Sequence, residues 1–130
     1  MHAAQTVSQN SIVTRILLGT DSTLQTAMAS ADLLSIHFSR IEAIVGAVGD
    51  VASVARMGRR ILCDALVECR EHTRPQDMIG VVDCLLCAVS AHRVAKNLLL
   101  AIVELADSDV AKLAQLGVRL AASVLDDLGA

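Results

Sequence analysis

The sequence has no Trp and no Tyr, and among its 130 residues only one Phe (Phe38) and one Pro (Pro75). A chain this poor in aromatics lacks the side chains on which single-stranded nucleic acid stacks. A single proline leaves long helices uninterrupted. Alternating Val, Ile, Thr and aromatic residues are missing too, which argues against a β-rich fold. There is no basic excess: 11 Lys and Arg stand against 14 Asp and Glu, for a net charge of −3. This argues against a nucleic-acid coat or a membrane-surface binder. The small basic cluster of Arg56, Arg59 and Arg60 reads as a solvated helix face.

Other absences concern membranes, export and catalysis. A spanning helix needs about 20 mostly apolar residues. The most apolar stretch, Met78 to Ala106, is interrupted by Asp83, His92, Arg93, Lys96, Asn97 and Glu104, so no membrane span is expected. No Lys or Arg precedes Arg15 and no apolar signal core follows, which implies a cytoplasmic chain with its four cysteines kept as thiols. No nucleophile elbow, phosphate-binding glycine loop or metalloprotease helix occurs. The sequence therefore points to a non-enzymatic protein with no cofactor.

What is present is helix-forming. Ala (20) and Leu (18) dominate a chain that is 54% apolar, and both are strong helix formers. The expected fold is all-α: a single-domain bundle over 1–130, with four main helices, a short N-terminal helix and a loose tail over 1–7. The alternative is a compact orthogonal bundle of five or six shorter helices, if Gly46–Gly49 and Lys96–Asn97 are both breaks. The short helix is expected over Ser8–Leu18, with Ile12, Val13, Ile16 and Leu17 on one side and Gly19 as its stop. Ser22 and Gln25 form a capping-box pattern that would start the next helix.

In that second helix, Leu24, Ala27, Ala31, Leu34, Phe38, Ile41, Val45 and Val48 recur at spacings of three and four, a heptad seam. A second stripe of Leu33, Ile36, Ile44 and Ala47 makes the helix apolar on more than one side. The third helix, about Val51 to His72, has arginines and acids on one face and Val51, Val54, Ala55, Gly58, Ile61, Leu62, Ala65, Leu66 and Cys69 on the other. Pro75 fits the first turn of a fourth helix, apolar nearly all round from Val81 to Ala91. Asp107 or Ser108 would cap the last helix, with Val110, Leu113, Ala114, Gly117, Leu120, Ala121, Val124 and Leu128 facing inward.

A mean hydropathy of +0.56 exceeds what one small core needs, and apolar helix faces in excess are commonly buried by a partner. The leading functional expectation is thus a helical interaction protein, a homodimer or the mate of another helical protein. Leu34, Phe38, Ile41 and Val45 are the candidate interface residues.

Two other readings rest on chemistry. If the third and fourth helices turn at Thr73–Arg74, Cys63 lies level with Cys84, and Cys63, Cys84 and Cys87 could converge as a thiolate site for Zn or Cu(I), or as a redox sensor. Asp83, in the same apolar helix, would find its partner in Arg56, Arg59 or Arg60. The segment Ser90-Ala91-His92-Arg93-Val94-Ala95-Lys96 loosely resembles the histidine phosphotransfer domains. That family places Lys three residues after the His and Gly after the Lys, where this chain has Ala95, Lys96 and Asn97. The resemblance implies a solvent-facing His92 that carries the phosphoryl group, with Lys96 beside it.

Overall fold

The computed structural model describes the backbone of residues 2–72 and 78–129, and their side chains except at 2–18, 20–21, 71–72 and 78. Four helices follow in order: α1 (His2–Val45), α2 (Asp50–His72), α3 (Met78–Leu105) and α4 (Ser108–Asp127). The fold is the expected all-α bundle. The Thr73–Arg74–Pro75 break and the side chains of Ile12, Val13, Ile16 and Leu17 lie outside the described residues.

α1 is one helix where the sequence suggests two. It runs through Gly19 and Ser22 without interruption. A glycine inside a helix costs only about 1 kcal/mol, too little to end one that has a buried stripe downstream. Thr23 Oγ1 donates to Gly19 O at 2.9 Å, and Thr26 Oγ1 donates to Ser22 O at 3.1 Å. Both hydroxyls serve helical carbonyls, so Ser22 stands within the helix and not at a cap.

The next two candidate breaks resolve in opposite ways. At Gly46 and Gly49, φ is +87° and +121°, a left-handed conformation that glycine adopts without a Cβ penalty. The Gly46 amide closes α1 on Glu42 O at 2.9 Å, and Asp50 starts α2. At Lys96–Asn97 there is no break, because Ala95, Leu99 and Ile102 carry the buried stripe of α3 straight through. The orthogonal alternative required both breaks, so it falls.

Short connectors make sequential helices antiparallel neighbours. α1 also touches α4, closing the bundle, and α1 and α3 meet across the diagonal, whereas α2 and α4 do not meet among the described residues. Small side chains permit that diagonal: Ala27, Ser30 and Ala31 on α1, and Ala88, Ala91 and Ala95 on α3, are all buried. The main core holds Leu34, Phe38 and Ile41 of α1, Leu62 of α2, Leu99 and Ile102 of α3, and Ala114 and Ala121 of α4. A satellite cluster of Leu24, Cys69, Val81 and Cys84 lies at the α2–α3 hairpin end.

α3 is long and apolar enough to cross a membrane by length and composition. In the bundle α3, like α1, packs against all three other helices, with Ala95, Leu99 and Ile102 on its buried side and Ile79, Val82, Leu86 and Leu100 exposed.

Candidate functional site

The inner and outer faces of α1 have exchanged the roles read from the sequence. Leu34, Phe38 and Ile41 are each 0% exposed, and Val45 packs half-buried against the same core. They are the chain's own core and not an interface. The physical reason is that a heptad seam specifies burial against helices without specifying whose, and α2, α3 and α4 supply them here. The second stripe is what remains outside: Leu33 is 52% exposed, Ile36 40% and Ile44 62%. Leu116 of α4 is 53% exposed. It adjoins Gly117, where a Cβ would lie 3.1 Å from the His37 ring. A separate exposed group, Ile79, Val82 and Leu86, opens α3.

His92 is not on the surface. It is 0% exposed on the inner face of α3. Nδ1 lies 2.6 Å from Ala88 O, which can only accept, so Nδ1 carries the proton. Nε2 then accepts from Ser30 Oγ of α1 at 3.1 Å. Burial pushes the imidazole pKa below its ordinary value, partly opposed by the bond to Ala88 O. Both ring nitrogens are engaged and sealed, so a phosphoryl donor has no route to either. The phosphotransfer expectation at His92 is therefore corrected. Lys96, one turn on, is half-buried and borders a polar hollow with Arg93, Asn97 and Asp126.

The cysteines are also arranged differently from the expectation. Cys69, not Cys63, is level with Cys84. Cys69 Sγ lies 3.5 Å from Cys84 O, and Cys84 Sγ lies 4.0 Å from Cys69 O, a reciprocal link across the α2–α3 hairpin. Cys63 is exposed on α2. Counting outward from Thr73–Arg74 sets Cys63 opposite Cys84, whereas the contacts between α2 and α3 set Cys69 there, six residues further along α2. The expected Cys63, Cys84, Cys87 convergence does not form, and among the described residues no group of three His, Cys, Asp or Glu could hold a metal ion.

Burial, reinforced by Cys84, pushes the Cys69 thiol up to about 12. Cys87 donates to Glu68 Oε2 at 3.7 Å, and burial together with that carboxylate raises its pKa also. Since the thiolate is the reactive form, Ellman's reagent is expected to find Cys63 quickly and Cys87 slowly. Cys69 and Cys84 should react only once denaturant opens the hairpin. Four thiols reacting at one rate in native buffer would contradict this placement.

Between α2 and α3 lies an open groove of about 300 Å³, with Ile61, Ala65, Ala91 and Val94 in its walls and Asp64, Glu68 and Cys87 at its edge. Asp83 is exposed to solvent and needs no buried partner. The arginines expected to meet it instead tie α2 to the end of α1. Arg59 pairs with Glu42 at 2.8 and 3.4 Å, and Arg56 donates to Ala47 O at 3.1 Å.

Sequence reasoning missed the Ser30–His92 link. The signal was present: His92 shares helical spacing with Ala88, Ala91, Ala95 and Leu99, and Ser30 falls beside Ala27, Ala31 and Leu34. Comparison with protein-family models, with curated proteins and with solved structures returns no significant match.

Proposed function

We propose that this chain is a non-enzymatic helical protein that acts by self-association, pairing with a second copy through the outer apolar face of α1. The observation that carries the reading is the line of Leu33, Ile36 and Ile44 left in solvent beside a core already closed by the chain's own four helices. Large apolar side chains left exposed on one helix face are a mark of interaction surfaces. Homo-oligomers, most often twofold dimers, are the usual way to cover them. The groups best equipped for chemistry support a role without catalysis: His92, Cys69 and Cys84 are buried and bonded inside the bundle.

Size-exclusion chromatography with light scattering tests the proposal. The expected mass at micromolar concentration is twice the 13.7 kDa of one chain. A single-chain mass across the whole concentration range would overturn it.

A further inference from the structure

The outer face of α1 carries a charge pattern that is complementary to itself. Along the row of residues four apart, Asp32, Ile36 and Arg40 follow one another, an acid and a base equidistant from a central apolar residue. Asp32 and Arg40 are both exposed, and neither has an ion-pair partner among the described residues of its own chain. They cannot satisfy each other, since eight residues of helix separate them by about 12 Å. Reversed end to end, the row reads base, apolar, acid, which is what the original row would face.

We infer that two copies pair α1 against α1 in an antiparallel crossing about a twofold axis at Ile36, with Asp32 of each copy facing Arg40 of the other. This rests on the self-association proposed above and specifies its geometry. Rows of residues four apart interdigitate in the commonest class of helix crossing, at about −50°, so the acid–apolar–base row is the one such a crossing aligns. The flanking positions suit close approach. Ala29 and Ala43 are small and exposed. The Ser39 hydroxyl already donates to Ser35 O within α1 at 3.0 Å, so covering it leaves no donor unpaired. Ile36 and Leu33 form an apolar centre with the ion pairs at its rim, the usual anatomy of an interface. Complementary charges at the rim also fix the antiparallel register, because a parallel pairing would set Asp32 against Asp32 and Arg40 against Arg40.

Charge reversal tests the geometry. Asp32→Arg and Arg40→Asp each place like charges across the twofold and are expected to weaken the dimer by about tenfold or more. The double variant Asp32→Arg/Arg40→Asp restores complementarity and should recover most of the wild-type affinity. Ile36→Glu should leave a monomer whose far-UV circular dichroism matches wild type, since the site is on the outer face. In a Cys63→Ser background, Ile36→Cys should form a covalent dimer under copper–phenanthroline, because the two sulfurs meet at the axis. A wild-type dimer indifferent to Ile36→Glu and to both reversals would overturn this geometry while leaving self-association standing. A wild-type monomer would overturn both.

Discussion

Truncating Phe38 to Ala is expected to destabilise the protein by about 4 kcal/mol, read as a shift of the urea midpoint. Phe38 is the largest fully buried side chain and the chain's sole aromatic, so nothing nearby can swing in to replace the ring. Its seat is made by Gly58 of α2, where a Cβ would overlap the ring edge. That contact reverses a familiar sign. Gly→Ala within a helix normally stabilises by about 1 kcal/mol, but Gly58→Ala here must push Phe38 aside, and overpacking costs about 1–3 kcal/mol. In a Phe38→Leu background the overlap is relieved, and Gly58→Ala should turn neutral or stabilising. The measurement is a double-mutant cycle, with an expected coupling of at least about 1 kcal/mol. An equal cost of Gly58→Ala in both backgrounds would show that the ring and the glycine are not in contact.

The same pair illustrates what patterning alone can convey. Gly58 falls on the inward stripe of α2 by spacing, and Phe38 on that of α1, so both are legible as core residues. Which of the two yields to the other is not, because that depends on how α1 and α2 cross at two residues 20 apart in sequence. α4 reads most directly: Val110, Ala114, Gly117, Ala121 and Val124 face inward as their spacing requires. α1 was harder. Its two apolar stripes are both visible in the sequence, but only the assembled bundle decides that Leu34, Phe38 and Ile41 are consumed inside while Leu33, Ile36 and Ile44 remain outside. The cysteine register failed for a geometric reason. Pairing across a hairpin is counted from its centre, so a displacement of that centre by a few residues is doubled at the partner position. Cys69 thereby replaces Cys63 opposite Cys84. A solvent-facing His92 is implied by the phosphotransfer resemblance alone, whereas its own helical spacing places it with alanines on the inner face.

Acidification should weaken the fold through His92 before the carboxylates titrate. The imidazole is sealed between Ala88 O and Ser30 Oγ, and burial holds its folded pKa below the ordinary 6.5. The unfolded chain therefore takes up a proton at a pH where the folded chain does not. By linkage, stability is full above about pH 6.5 and declines as the pH falls from there through the folded pKa, by up to about 1.4 kcal/mol for each unit separating the two values. Below the folded pKa both states are charged and the loss levels off. His37 shifts in the same direction, lowered by burial and then by Arg40, so it contributes to the same window from a less enclosed site. Urea midpoints between pH 7.5 and 5.5 measure the slope. His92→Ala should cost about 3 kcal/mol at pH 7.5, from the cavity and from the Ser30 hydroxyl left without its acceptor. It should also flatten the pH dependence, whereas His37→Gln should flatten it less. A wild-type midpoint that does not move over this range, or a His92→Ala slope equal to that of wild type, would mean that the buried imidazole does not govern acid stability.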